Sequence, residues 1–253
     1  MFGNFDWDVI RRSLPYLFRD GMTFTVTLTF LAMSGALVLG TLLAMMRLSS
    51  VALFSRLAGT YVNLMRSVPL LLVIFWFYFL VPYIGGYVFH QLYLLNPHGL
   101  GRLLVDAFGY QVQSGRPIQV GAFASSLITF TIFEAAYYCE IMRAGIQSVA
   151  RGQVYAGYAL GLNYWQTMGR IVLPQAFRNM LPVLLTQTII LFQDTSLVYV
   201  ISATDFLGAA AKIANRDYRL VEMYSFVAVV YVIVSFGRSL AVRRLQSRIA
   251  VVR

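Results

Sequence analysis

Polar residues are sparse enough that the chain divides into five apolar runs: Met22 to Met46, Leu70 to Phe89, Val120 to Cys139, Leu181 to Ile201 and Met223 to Val242. Each is close to the ~20 residues that carry a helix across ~30 Å of hydrocarbon. Hydrocarbon offers no partner to backbone amides and carbonyls, so a crossing segment must satisfy them internally, as a helix does. The pattern predicts an all-α integral membrane protein with five transmembrane helices over about 22–46, 70–89, 120–139, 181–201 and 223–242. Repeats, low-complexity tracts and linkers are not found, and residues 1–253 read as one membrane domain.

Local signals flank these runs. Phe5, Trp7, Val9, Ile10 and Leu14 mix with Asp6, Asp8, Arg11 and Arg12 as far as Pro15, the composition of an amino-terminal interfacial helix with Trp7 at headgroup depth. Ala32, Ala36, Gly40 and Ala44 recur every four residues in the first span, a small-residue stripe that lets another helix approach closely. Ser67-Val68-Pro69 reads as the inner entry to the second span, because proline at a helix start removes an amide that has no helical partner there. The aromatic run Phe75 to Phe79 reads as lipid-facing and interfacial bulk. His90 to Pro117, with Asn96-Pro97, Gly99 and Gly115, forms an outside loop.

Charge then sets the orientation. A net charge of +10 would suggest nucleic acid in a soluble protein, but only 12% of the residues are charged and 59% are hydrophobic. Arg47, Arg56 and Arg66 follow the first span, Arg143, Arg151, Arg170 and Arg178 follow the third, and Arg238, Arg243, Arg244, Arg248 and Arg253 close the chain, with no acidic residue among them. By the positive-inside rule the amino terminus lies outside and the carboxyl terminus in the cytoplasm. No nucleic-acid partner is expected. Cys139 is the single cysteine and reads as packing, and the two histidines, His90 and His98, make a poor metal site without cysteines or clustered carboxylates. Arg11-Arg12 lacks the features of an export signal, since Asp6 and Asp8 precede it and no small-residue cleavage site follows.

The inner loop between the third and fourth spans, about 143–178, carries more order than a tether needs. Gln153 to Leu160 favours a helix, with Gly161 just past its end where a left-handed backbone is required. Asn163 and Gln166 have the spacing of a capping box, opening a second helix that Pro174 should terminate. Arg151-Gly152-Gln153, Tyr155-Ala156-Gly157, and Gly161 followed after nine residues by Ile171, one residue, and Leu173-Pro174 resemble the EAA loop shared by permease subunits of ATP-binding-cassette importers. Tyr155-Ala156-Gly157 stands where that family has Glu-Ala-Ala, so the family's glutamate is missing; the literal Glu134-Ala135-Ala136 lies within the third span, with Glu140 where the glycine should be.

The resemblance covers essentially the whole chain. Glu140 to Ser148, Leu173 to Arg178 and Asp194-Thr195-Ser196-Leu197 are similar to the polar amino acid uptake permeases, and Gln193-Asp194 to the glutamate/aspartate branch. It implies the type I importer permease fold with a cytoplasmic coupling helix in the bacterial inner membrane. It also implies an ATP-binding subunit dimer, a second permease chain (sister or identical) and a periplasmic solute-binding protein. Lys212 is the only lysine and follows Ala211, so no G-x-x-x-x-G-K-[ST] phosphate loop exists; hydrolysis falls to a partner, and neither enzymatic activity nor cofactor nor metal is expected here.

Polar residues inside the spans are costly and mark a path. Glu134, Gln187, Gln193, Asp194, Thr195 and Ser196 are the candidates; Gln187 and Asp194 share a helix face, and Asp194-Thr195-Ser196 either contributes to a substrate site or caps a helix restarting after a break. Glu140 and Arg143, three apart, are better explained as a structural ion pair than as substrate contacts. Glu134 and Asp194 would face a substrate amino group, while its carboxylates would need helix amino termini or an arginine that the sequence does not single out. An intramembrane enzyme using Asp194 or Glu134, or an ion-coupled secondary carrier, are the competing readings. No G-x-S-x-G or H-E-x-x-H string supports the first, and no inverted repeat the second.

Overall fold

The computed structural model describes residues 5–96, 98–108, 114 and 116–249; Pro97, Gly115 and Arg253, which entered the readings above, lie outside them. All regular structure among the described residues is helical. Helix α1, Trp7–Tyr16, opens at Asp6, whose carboxylate accepts from the amides of Asp8 and Val9. Pro15 does not end it. A wide π turn over Leu17–Met22 keeps the backbone right-handed into α2, Thr23–Leu48, so the interfacial helix and the first span form one course. Such a turn is a common way to absorb the missing amide of a proline.

Helix α3 spans Ala52–Ser67, α4 Leu70–Phe75 and, after a π turn at Trp76–Leu80, α5 Val81–Leu95. Helix α6 is Leu100–Phe108 and α7 is Ala122–Gln147. Next come α8, Arg151–Ala159, and α9, Tyr164–Thr167, which passes through a π turn, Met168–Val172, into α10, Leu173–Asp194. A 3-10 turn over Thr195–Ile201, α11 at Phe206–Asp217 and α12 at Leu220–Ile249 complete the chain. Five helical courses are long and apolar enough to cross a membrane: Trp7–Leu48, Leu70–Leu95, Ala122–Gln147, Tyr164–Ile201 and Leu220–Gln246.

The centre of the bundle is α7 against α2, running parallel. Phe24 stacks edge-on to Phe123 at 5.1 Å near one end, and Thr41 reaches Met142 near the other. The small-residue stripe of α2 makes this possible: Ala32, Ala36 and Ala44 are buried, and a Cβ on Gly40 would sit 2.9 Å from that of Tyr138. Helix α10 runs antiparallel to α7, with Gln187 opposite Glu134 and Met180 opposite Gly145. Helices α1, α11 and α12 pack around Val9, Leu17, Phe206, Ala210 and Met223 at the opposite end of the bundle from Arg47. There Arg12 pairs with Asp217 and Arg219 with Glu222.

The second apolar course starts at Leu70, as its sequence-based boundary has it, runs on to Leu95, and is preceded by a helix that the apolar pattern does not mark. Ala58 and Val62 of α3 bury against Ala44, Cys139 and Met142, near the arginine-rich end, whereas Ile74 of α4 packs with Leu28, Ala32 and Phe130, further along. Helices α3 and α4 therefore pack one after the other along α7, and Ser67-Val68-Pro69 joins α3 to the apolar span that starts at Leu70. Val68 and Pro69 are extended, with ψ of 135° and 132°. Arg56, Asn63 and Arg66 interrupt the hydrophobic residues of α3, so it forms no apolar run in the sequence.

Two further corrections concern helix ends. Pro174 does not terminate a second loop helix: it follows directly on the π turn Met168–Val172, whose altered hydrogen-bond register accommodates the missing amide, and the course from Tyr164 is continuous. The helical course that contains the fourth span thus begins at Tyr164, and the non-span segment between Gln147 and Tyr164 shrinks to about 148–163. Asp194 caps nothing. Its backbone is right-handed, its side chain bonds no amide, and the helix tightens into the 3-10 turn without a break.

Candidate functional site

Two constructions stand out, one on the arginine-rich end and one between the spans. The first is the loop from Ser148 to Asn163. Gly161, at φ +78°, takes the left-handed position after α8; the Leu162 amide bonds the Gly157 carbonyl (3.1 Å) and the Gly161 amide that of Tyr158 (2.9 Å). This Schellman arrangement satisfies the last carbonyls of α8 and reverses the chain within two residues. The Asn163 side chain then accepts from the Gln166 amide (2.9 Å) while the Gln166 side chain accepts from the Asn163 amide (3.0 Å), so the capping box is complete.

Gly157 explains the departure from the family triplet at its third place. A Cβ there already lies 3.0 Å from both Thr167 and Ile171, so glycine lets α8 lie directly on the π turn that follows α9. The opposite face is open. Arg151, Gly152, Gln153, Tyr155, Ala156 and Gly161 are exposed, as are Leu173 and Pro174, while Ile171 is half-buried beneath Gly157. Three side chains that the sequence did not single out extend this surface: Leu160 is 80% exposed, Trp165 79% and Tyr164 54%. Aromatic side chains held out on a rigid polar loop are the composition of a protein-binding surface. Behind it, a cavity of about 500 Å³ opens between Ile146, Val154, Tyr158, Tyr164 and Met168.

The second construction is a groove between α7 and α10. Deeper between the same two helices, beyond the residues that line the groove, Glu134, 1% exposed, accepts from the Gln187 amide nitrogen at 3.0 Å. At the arginine-rich end Asn179 donates to the Ser148 hydroxyl at 2.8 Å. From position 134 to 148 is about 21 Å along a helix. Between these bonds lies a space of about 360 Å³ lined by Arg66, Glu140, Ile141, Ala144, Gly145, Ser148 and Asn179, with Met180 and Val183. Gly145 is required for it, since a Cβ there would stand 2.8 Å from that of Met180.

Of the path candidates, the structure joins Glu134 to Gln187 and leaves Asp194 half-buried on the same face of the fourth span, two turns on. Gln193 turns the other way and donates to Ser235 of α12 at 3.0 Å, and the Thr195 hydroxyl bonds back to the Phe192 carbonyl at 2.7 Å. Ser196 is half-buried. Arg143 grips Glu140 with two nitrogens, at 3.0 and 2.7 Å, and Arg47 of α2 pairs with the same carboxylate. The local pair is therefore a three-member clasp tying α2 to α7. Arg66 was missed because its context is tertiary: its guanidinium lies 5.5 Å above the ring of Tyr137. Cys139 is buried and free.

Comparisons with known proteins agree in kind. The family described as binding-protein-dependent transport system inner membrane component matches residues 36–251. The chain is 46% identical over 246 residues to the glutamate/aspartate import permease protein GltK of Escherichia coli O157:H7, covering 97% of this chain and 99% of that one. It is 29% identical to the glutamine transport system permease protein GlnP of Escherichia coli K12, over 98% and 99% of the two chains. Among solved structures, the crystal structure of an amino acid ABC transporter with histidines superposes with a TM-score of 0.79 at 26% identity, covering 96% of this chain and 98% of that one.

Proposed function

Since the chain belongs to the binding-protein-dependent transport system inner membrane components, we propose that it is the permease of an importer for glutamate or aspartate. It is a multi-pass membrane component of an amino-acid ABC transporter, and this membership sets aside the readings as an intramembrane enzyme or an ion-coupled carrier. In this proposal residues 1–253 act as one permease domain in the bacterial inner membrane, amino terminus outside and carboxyl terminus in the cytoplasm. A dimer of ATP-binding subunits docks on α8, a second permease chain, sister or identical, completes the membrane unit, and a periplasmic solute-binding protein delivers the amino acid.

The observation that carries this reading is the surface formed by Arg151 to Gly161 with Tyr164 and Trp165. A Schellman turn, a capping box and the close seat of Gly157 hold it rigid. Rigidity matters because a coupling element must transmit motion: the ATP-bound partner favours one arrangement of the spans only if its grip differs between arrangements. Through the π turn and α10, movement of this surface reaches Gln187 and the groove. Glu134, Gln187 and Asp194 then form the polar side of the path, while Glu140, Arg47 and Arg143 hold α2 to α7 as it moves.

The test is copurification and uptake. The chain coexpressed with its ATP-binding and solute-binding partners should retain the ATPase through purification and import labelled glutamate and aspartate into proteoliposomes in an ATP-dependent way. Trp165→Ala combined with Tyr155→Ala should release the ATPase while leaving the helical bundle inserted. Retention of the ATPase and full uptake by that double variant would remove the assigned role of this surface.

A further inference from the structure

We propose that a second groove, between α2, α10 and α12, holds an anionic phospholipid, with an acyl chain along its apolar walls and the phosphate on Arg238. Leu185 and Ile189 of α10 face this groove, whereas Gln187 faces α7 and Glu134. The site is therefore separate from the path assigned above, and the inference stands whatever cargo the chain carries.

The space is about 390 Å³, and its walls are apolar apart from Thr29, Thr188 and Arg238. Both threonines return their hydroxyls to their own helices, Thr29 to the Thr25 carbonyl at 2.7 Å and Thr188 to that of Leu184 at 3.0 Å. Arg238 is half-buried and forms no hydrogen bond or ion pair with any described residue. Its guanidinium lies 4.0 Å from the centre of the Phe192 ring, and a ring face leaves the in-plane nitrogens free to donate. The platform is fixed: Phe192 is fully buried against Tyr231, and one turn before the arginine Ser235 accepts from Gln193 at 3.0 Å. A cation held in a membrane-spanning helix without an acid needs an anion or water to offset its desolvation.

The layout of the groove selects the anion. Val26, Ile189 and Arg238 stand at the end nearer α11, and Met33, Leu185 and Leu245 at the other, about 10 Å away along a helix axis. One cation followed by an apolar trough is the complement of a phosphate followed by an acyl chain. The trough opens sideways to the bilayer, since Val26 is 44% and Phe30 62% exposed. Arg238 lies at the level of Thr29, two turns into the first span, where a long side chain reaches the headgroups of the nearer leaflet. A guanidinium fork matches two phosphate oxygens at once. A free amino acid fits poorly, because its ammonium group would meet no open acceptor here.

The test is native mass spectrometry of the permease–ATPase complex, stripped of lipid and titrated with phosphatidylglycerol or phosphatidylcholine of equal chain length. The wild-type complex should bind phosphatidylglycerol about fivefold or more tightly, the scale of one basic residue beside an anionic headgroup. Arg238→Gln should remove one tightly bound phosphatidylglycerol per permease chain and leave phosphatidylcholine within about twofold, with Arg238→Lys between. Ala241→Trp, which fills the trough and keeps the arginine, should displace the same lipid. Equal wild-type affinities for the two lipids, or full phosphatidylglycerol binding by Arg238→Gln, overturn the proposal. If Arg238→Gln does not assemble, unchanged binding by Ala241→Trp overturns it alone. Displacement of the lipid by glutamate gives the groove to cargo, and loss of a second permease chain from Ala241→Trp, with no lipid bound by the wild type, gives it to a protein partner. Either outcome also sinks the lipid site.

Discussion

The loop around Gly161 and the groove around Arg66 are held in place by opposite means. The bonds that form the loop's turn and cap join residues within five positions of one another: Leu162 to Gly157, Gly161 to Tyr158, Gln166 to Asn163. Bonds that shape the groove bridge long stretches, Gln187 to Glu134 and Asn179 to Ser148, and its clasp joins Arg47 to Glu140. A locally encoded part keeps its form while it moves as a unit. A part encoded by packing between helices changes form when the helices shift, which is what alternating access asks of a path and what a mechanical joint must avoid.

Breaking the local half should have the largest effect. Gly161→Val places a β-branched side chain at φ +78°, a strain of about 1–2 kcal/mol concentrated in one turn. Uptake and ATPase retention should both fall at least tenfold with membrane insertion unchanged, as read by transport assay and copurification. Normal coupling in this variant would mean that the turn does not need its shape.

Breaking the contact between α7 and α10 beyond the groove comes next. Glu134→Leu leaves the Gln187 side chain without its partner, at a cost of about 1–3 kcal/mol, and uptake should fall about tenfold while the ATPase stays bound. Glu134→Gln keeps a hydrogen bond and separates shape from charge: if it transports like wild type, the charge of Glu134 is dispensable. Glu140→Gln should act more weakly on transport and more on stability. It leaves Arg47 and Arg143 without their carboxylate, in side chains 16% to 28% exposed, and thermal unfolding should show a loss of about 1–3 kcal/mol.

The smallest effect tests a site belonging to neither half. Asp205, buried in the connection between the fourth and fifth spans, caps α11 through the amides of Leu207 and Gly208 at 3.0 Å each. Burial nevertheless pushes its carboxyl up to about 7. An unfolded aspartate titrates near ~3.9, so between about 4 and 7 the folded chain holds the proton more tightly and stability falls as pH rises through that window. Asp205→Asn keeps a capping oxygen and should flatten this slope in thermal unfolding measured from pH 4 to 8. An unchanged slope would place the titration elsewhere.

The same contrast explains what could be read from the chain. Gly161, the Asn163–Gln166 box and the stripe from Ala32 to Ala44 follow from local rules, and each has the conformation or burial those rules demand. Pro174 does not stop its helix as expected, because a proline signals a missing amide without saying that a neighbouring π turn will absorb it. Helix α3 left no mark in the apolar pattern because Arg56, Asn63 and Arg66 break up its hydrophobic residues, and what holds it, the burial of Ala58 and Val62, depends on tertiary neighbours. Glu140 was paired correctly with Arg143 from spacing, but its bond to Arg47 and the place of Arg66 over Tyr137 depend on which helices become neighbours.

The extended backbone at Val68 and Pro69 has a hydration consequence. Carbonyls in the last turn of α3 have no following helical amides to accept from, and lipid tails supply none. Ser67 answers one of them through its hydroxyl, bonded to the Asn63 carbonyl, and the rest call for water or headgroup donors, which makes the short break ahead of the Leu70–Leu95 span a point of hydration on an otherwise apolar chain.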